Sequence, residues 1–157
     1  MLAMINVRDS LQKLNIPVSD FSFDKYLSQH YASLGSNNKS IITKRKKNLS
    51  DITQQLNKNK VKYWLTGKTL MGAVSLNELI DDHDDDIGID EGSLALFIKL
   101  LPILIGDGFE VIRATKENDM ISLYRDGRYI DVCIFKKKES TGMGTKQKHF
   151  PPITSTK

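Results

Sequence analysis

The chain has 157 residues, 39% of them hydrophobic, and a formal net charge of +4 at pH 7, which is enough for one domain with its own core. Its single cysteine, Cys133, excludes an intrachain disulfide framework and indicates a reducing compartment. No apolar run approaches the roughly 20 residues of a membrane span, and the first residues lack the pattern of a secretion signal. The composition therefore predicts a cytoplasmic protein without a membrane span.

Lysine and arginine are concentrated in two short runs, residues 44–47 and 136–138. Such runs suit phosphate-bearing ligands, but they more often form a solvated surface, and we interpret them as surface. A nucleic-acid partner is not expected, because no nucleic-acid-binding module is recognisable and aromatic residues do not alternate with the lysines.

The N-terminal part predicts two short helices. Pro17 ends the first, and Ser22 or Asp24 begins the second, which reaches Tyr31. His30 is expected to be a surface or packing residue.

A longer helix is predicted from Ser40, where apolar residues begin to recur near the helical period, to the polar residues 57–60. A short β-prone strand follows at residues 61–65 and is broken by Gly67. Residues 69–74 then favour a helical turn or a short helix.

Aspartate dominates the next stretch, where it occupies six of the ten residues from Asp81 to Asp90. A strand is predicted at residues 87–90. Ser93 is the expected N-cap of a helix that reaches about Ile105, and later β-like runs are predicted at residues 109–114, 120–124 and 129–135, with a hairpin turn at 125–128.

This order of elements predicts an α+β (α/β-like) fold, with a small mixed β-sheet packed by helices and an N-terminal helical segment. We divide the chain into a helical extension (residues 1–48), a core (residues 49–138) and a flexible tail (residues 139–157).

Three carboxylates in this arrangement predict a metal site. Asp84 and Asp86 share a strand face, because alternate side chains of a strand point the same way. Asp131 is the one acid inside an apolar strand, where a carboxylate is costly unless it is paired or liganded. If the two strands are neighbours, the three acids could hold Mg²⁺ or Mn²⁺ against substrate phosphates. Gly67 and the helix that follows offer backbone N–H groups to an anion, and Lys68 adds a charge.

Other interpretations remain open at this level. The acidic segment could be a solvated loop, and Asp131 could simply pair with Arg128 or with a lysine. A calcium loop of the EF-hand type is disfavoured, because Ile87 and Ser93 stand where that loop needs glycine and an acid. His83 beside the acids is expected to be a hydrogen-bonding neighbour.

The segment WLTGKTLMGAV…LIDDHDDDIGI resembles the LicD family of phosphocholine and related phosphoryl-alditol transferases, which includes fukutin-related protein and has the nucleotidyltransferase fold. Family members typically show G-T-L-L-G-A and then W-D-D-D-I-D-I or H-D-x-D-I-D-I, and RDGRYIDVCIF resembles the later strand with the distal acid. The resemblance implies a nucleotidyltransferase-type sheet. It also implies catalytic and metal-binding roles for Asp84, Asp86 and Asp131, and a nucleotide-binding role for the segment Gly67, Lys68 and Thr69.

The resemblance further implies a Mg²⁺-dependent transferase that acts in cell-surface polysaccharide modification. Its donor would be a CDP-alcohol or a nucleoside triphosphate, and its acceptor a hydroxyl of a glycan or small molecule. Asp131 would complete the site and accept the proton of the attacking hydroxyl. Two alternatives are a nucleotidyltransferase of the antibiotic-modifying type and a non-catalytic, degenerate binding protein of the same fold.

Two positions depart from the family pattern. Gly88 stands where the family usually has its last motif aspartate, and Lys68 replaces a small hydroxyl residue. If the site is merely weakened by the first change, a Gly88→Asp substitution is expected to raise metal-dependent activity.

Overall fold

The fold consists of helices and short strands that lead into a three-stranded meander. A computed structural model describes residues 5–33, 39–75, 79 and 82–136. The helices are α1 (Val7–Lys13), α2 (Phe23–Ala32), α3 (Lys39–Lys58), α4 (Gly67–Ser75) and α5 (Leu94–Gly106), with a short 3₁₀ turn at Glu91–Ser93. The strands are β1 (Tyr63–Leu65), β2 (Asp84–Asp90), β3 (Glu110–Ala114), β4 (Met120–Arg125) and β5 (Arg128–Phe135).

The strands form one mixed sheet in the order β1-β2-β5-β4-β3. β2 and β5 are parallel neighbours, and the other pairs are antiparallel. The predicted α+β class, with a small mixed sheet packed by helices, is confirmed. The strand that carries Asp131 does lie beside the strand that carries Asp84 and Asp86.

One face of this sheet is covered by the main hydrophobic core. Ile87 and Ile89 of β2 and Val132 of β5 are fully buried there, as alternation predicted for the two isoleucines. Helices α1, α3 and α5 supply the other side of the core, with Val7, Leu11, Ile52, Leu56, Phe97 and Leu101 among its members. The opposite face of the sheet is therefore the one that carries Asp84 and Asp86.

Helix α2 covers part of that opposite face through aromatic side chains. Tyr26 packs against Tyr129 of β5 with ring centroids 5.0 Å apart, and the neighbouring rings are those of Phe21, Phe23 and Tyr124. The proposed boundary at residue 48 falls inside α3, and α1 contributes to the same core as α5. The proposed tail, residues 139–157, lies outside the described residues.

Two predicted boundaries differ from the structure. β2 begins at Asp84 and not at residue 87, because pairing with β5 extends the strand into the acidic run. Ser93 makes no side-chain capping hydrogen bond; a 3₁₀ turn precedes α5, and Asp90 caps that turn by accepting from the Gly92 N–H. No helix in the described ranges is long and apolar enough to cross a membrane.

Candidate metal centre

Alternation along β2 separates its three consecutive acids. Asp84 and Asp86 share the face away from the main core, and Asp85 points toward α3. Parallel pairing sets Asp131 directly beside Asp86. The structure thus brings Asp84, Asp86 and Asp131 together, each with a carboxylate oxygen within 4.8 Å of the others. We call these three residues the acidic triad.

The acidic triad holds negative charge at a cost. Burial raises the pKa of Asp84 to about 9, with further contributions from a hydrogen bond with Asp131 and from the charges of Asp86 and Asp131. Burial also raises the pKa of Asp86 to about 7, and the charge of Asp131 adds to that shift. A hard divalent cation would offset this crowding. The donors are all carboxylate oxygens, which is the ligand type that Mg²⁺ and Mn²⁺ take.

The stability of the metal-free domain should fall as the pH rises from about 4 to about 9. The raised pKa values mean that Asp84 and Asp86 keep protons in the folded chain that the unfolded chain, whose aspartates titrate near 3.8, has already lost. The folded state therefore binds more protons in this window and loses stability as they leave, by at most about 1.4 kcal/mol per pH unit for each carboxyl.

A divalent cation competes with those protons, so the rise in melting temperature caused by Mg²⁺ should be larger at about pH 8.5 than at about pH 5.5. Thermal melts in Mg²⁺ and in EDTA at both pH values measure this difference. Equal Mg²⁺-induced shifts at the two pH values would contradict the assignment.

Asp131 is anchored by two donors on its Oδ1 atom. Arg113 donates to that atom over 2.9 Å and Ser122 over 2.5 Å. The register of β3 against β4 shifts between Val111 and Arg113. Such irregularities, β-bulges among them, commonly re-aim side chains beside functional sites. The guanidinium lies 4.3 Å from the ring centroid of Phe23, in cation–π range. The partner of Asp131 is thus Arg113, and not Arg128 or a lysine as considered from the sequence.

Asp85 is held by a buried ion pair on the other side of β2. Arg45 donates to its two carboxylate oxygens over 2.9 and 2.8 Å, and both side chains are almost fully buried. Arg45 belongs to the basic run 44–47, so the surface interpretation of that run was wrong for this residue; the three lysines are exposed. Thr69 donates to Asp85 and accepts from the Asp86 N–H over 3.0 Å. The Thr69 side chain is buried, and both of these hydrogen bonds of its hydroxyl go to β2, so Thr69 helps to position the acids.

The start of α4 adjoins the acidic triad. Gly67 has φ +60°, a left-handed conformation that favours glycine, and a Cβ there would lie 2.9 Å from Oδ2 of Asp86. Gly67 and Lys68 are both exposed. Helix α4 therefore begins at the edge of the acidic triad. Its first backbone N–H groups and Lys68 belong to the segment that the sequence predicts to bind an anion.

The part of the chain that carries the site matches a known family. The model of the family described as "LicD/FKTN/FKRP, nucleotidyltransferase domain" matches residues 60–156, which include every member of the acidic triad and the α4 segment. The chain belongs to the LicD family. The description of that family names a nucleotidyltransferase domain.

A curated relative is similar to part of this LicD chain. The uncharacterized protein RT0683 of Rickettsia typhi is 32% identical over 92 residues, which make up 58% of this chain and 28% of the relative. The chain therefore spans less than a third of that protein's length. The name of that protein states no activity.

Residues 82 and 83, which precede β2, are held by hydrogen bonds to neighbouring elements, including α2. His83 lies between two acids, with Nδ1 3.0 Å from Asp82 and Nε2 3.5 Å from Asp84. Tyr26 of α2 donates to the His83 carbonyl over 2.5 Å, and Arg128 donates to the Asp82 carbonyl over 2.7 Å. His83 is thus a hydrogen-bonding neighbour of the acids, and α2 fixes the chain that enters β2.

Aromatic side chains fill the space beside Gly88, where the LicD pattern usually has an aspartate. A Cβ at Gly88 would lie 2.3 Å from Nε1 of Trp64 and 2.8 Å from Cε1 of Phe135. Real Cβ atoms essentially never come that close to other heavy atoms. The indole of Trp64 occupies the space that the side chain of an aspartate would need, so a Gly88→Asp substitution must displace Trp64 before it can raise metal-dependent activity.

A Gly88→Asp or Gly88→Ala variant should lose stability, by about 1–3 kcal/mol, because the new side chain displaces Trp64. Trp64 is the only tryptophan, so its emission should shift to the red in both variants as the indole meets water. Gly106→Ala is the matched control, since nothing lies within 4 Å of a Cβ there. Unchanged emission together with tighter Mg²⁺ binding in Gly88→Asp would show that an aspartate fits here without displacing Trp64.

Sequence reasoning missed several residues that shape the site. Arg45 has helical spacing with Ile52 and Leu56, which places it on the apolar face of α3 and could have revealed it. Arg113 is the one charged residue in the middle of an apolar strand. The contact of Trp64 with Gly88 depends on the register of two strands, and no local signal predicts it.

Proposed function

We propose that this LicD domain transfers a phosphoryl-alcohol or nucleotidyl group from a nucleotide-activated donor to a hydroxyl acceptor, with Mg²⁺ or Mn²⁺ bound at the acidic triad. The observation that carries the proposal is the convergence of Asp84, Asp86 and Asp131 from two parallel strands. A CDP-alcohol or a nucleoside triphosphate is the proposed donor, and a glycan or small-molecule hydroxyl is the proposed acceptor.

The proposed metal ligands are the three triad carboxylates, and the metal would neutralise charge on the donor phosphates and on the transferring group. Asp131 is oriented for this role by Arg113 and Ser122. The guanidinium of Arg113 lies 2.9 Å from Oδ1 of Asp131. When the donor binds, this guanidinium would be close enough to donate a hydrogen bond to a phosphate oxygen.

The proposed anion-binding element is the start of α4. The N–H groups that follow Gly67 and the ammonium group of Lys68 would bind the donor phosphates and help to orient them. Thr69 serves this geometry indirectly, because its hydroxyl links the α4 segment to Asp85 and to the Asp86 N–H.

The non-catalytic alternative is disfavoured by the cost of the triad. Asp84 and Asp131 are buried beside each other and beside Asp86. Crowded carboxylates of this kind lower the stability of a fold, and they cluster at functional sites. Nucleotidyl transfer to a small molecule, as in antibiotic-modifying enzymes, uses the same type of metal site. Binding experiments with different donors are therefore needed to distinguish these two transferase functions.

Calorimetric titration of CDP-choline, CTP and ATP, each in Mg²⁺ and in EDTA, tests the proposal. Binding of one of them in Mg²⁺ and its loss in EDTA would support a transferase site and would identify the class of donor. The matched control is Mg²⁺ titrated alone, which shows whether the triad binds the ion without a nucleotide. No binding of any nucleotide in Mg²⁺ or Mn²⁺ would favour the non-catalytic alternative.

A further inference from the structure

An aromatic pair lies on the same face of the sheet as the acidic triad. Trp64 of β1 is opposite Gly88, and Phe135 of β5 is opposite Asp90. Because Gly88 is two residues beyond Asp86 on one strand face, the pair begins roughly 6.6 Å along β2 from the triad. Both rings are only half-buried, as is Cys133 between them and Asp131 on β5.

Glycine at position 88 allows Trp64 to lie across the strand. The indole nitrogen and the Phe135 ring edge occupy the space that any Cβ at this position would need. The two rings are 5.2 Å apart between centroids and tilted by 53°. One side of the indole therefore rests on backbone, and the ring is braced by a second aromatic side chain.

Trp64 is half-buried, so part of its ring meets solvent. A half-buried aromatic ring that is braced by a second ring is suited to stacking against a flat nucleobase.

We propose that Trp64, braced by Phe135, is the platform on which the base of the donor nucleotide stacks. This inference rests on the proposed function, in which the donor phosphates lie at the acidic triad. A nucleotide carries its base one sugar away from its phosphates, and the platform lies a comparable step along β2 from Asp86. The metal and the phosphates belong beside the three crowded carboxylates of the triad, and the flat base belongs beside the aromatic pair at Gly88.

The single tryptophan provides a direct test. CTP, ATP and inorganic tripolyphosphate are titrated into the protein in Mg²⁺, with tryptophan emission and calorimetry followed together. Nucleotides should quench Trp64 and should bind more tightly than tripolyphosphate by about 5- to 150-fold, the range expected for stacking of one base. Tripolyphosphate should bind at the triad and leave the emission almost unchanged.

Variants separate stacking from folding. Trp64→Leu should remove the advantage of CTP over tripolyphosphate while the affinity for tripolyphosphate stays the same, and Trp64→Phe should restore most of it. Phe135→Leu keeps the reporter and should weaken both the quenching and the nucleotide affinity. A thermal melt of each variant shows that it is folded.

The outcomes distinguish this inference from the proposed function. If tripolyphosphate binds in Mg²⁺ but nucleotides bind no more tightly, the platform is overturned and the transferase site stands. Equal weakening of CTP and tripolyphosphate in folded Trp64→Leu would make Trp64 a structural residue and would also overturn the platform. Quenching by simple sugars and not by nucleotides would assign the surface to the acceptor instead. No Mg²⁺-dependent binding of any of these probes would overturn both proposals.

Discussion

Replacing Asp86 with asparagine should abolish Mg²⁺-dependent nucleotide binding and leave the fold intact. The substitution keeps the shape of the side chain and removes one ligand charge from the acidic triad. The loss of affinity for Mg²⁺ should be no smaller than the roughly 10- to 100-fold that follows removal of an outer partner of a metal ligand. Calorimetry with Mg²⁺ and nucleotide measures it.

The same variant should be more stable than the unsubstituted protein in EDTA at about pH 8. Asp86 has a pKa raised to about 7, so at this pH it is mostly ionised in the folded chain, and its charge repels those of its neighbours. Asparagine removes that repulsion. Asp90→Asn is the matched control, because it removes one charge from the same face of β2 at the far end of the strand. A Mg²⁺ affinity that is unchanged in Asp86→Asn would rule out the triad as the metal site.

Replacing Arg45 with methionine should destabilise the domain by about 3–5 kcal/mol, because it leaves the carboxylate of Asp85 buried without its cation. This is a large part of the roughly 5–15 kcal/mol that stabilises a typical domain. Urea unfolding followed by circular dichroism measures the change. The effect should exceed that of any exposed charge in the same helix.

Two further variants make this test specific. Lys46→Met removes a charge from the adjacent, exposed position and should change stability by no more than about 0.5 kcal/mol. The double variant Arg45→Met/Asp85→Leu removes both charges and should recover much of the loss. If Arg45→Met and Lys46→Met cost the same, the ion pair would contribute little and the predicted role of Arg45 would be wrong.

The arrangement of the three acids could be predicted because most of its signals are local. Alternation placed Asp84 and Asp86 on one face, and a lone acid within an apolar strand singled out Asp131. Their convergence was conditional on two strands being neighbours, and the pairing of β2 with β5 meets that condition. The fold class followed from the order of elements in the same way.

Most of the features that the sequence did not predict depend on contacts between distant segments. Alternation separates Asp85 from its two neighbours, but its partner Arg45 lies 40 residues away in the chain. Arg113 reaches Asp131 through a register shift in a strand pair. From the sequence alone, Gly88 looks like a lost metal ligand. The structure adds that the indole of its cross-strand partner Trp64 fills the space of a side chain at this position.

The parallel pairing of β2 with β5 also has a consequence for folding kinetics. These strands are separated in the chain by α5, β3 and β4, so the pairing is long-range and closes more slowly than the local β4–β5 hairpin. The acidic triad exists only after this step. A cation bound by all three acids therefore stabilises the native state and hardly stabilises the folding transition state. It should slow unfolding far more than it speeds folding. The same pairing that assembles the site would then give the metal-bound domain its lifetime.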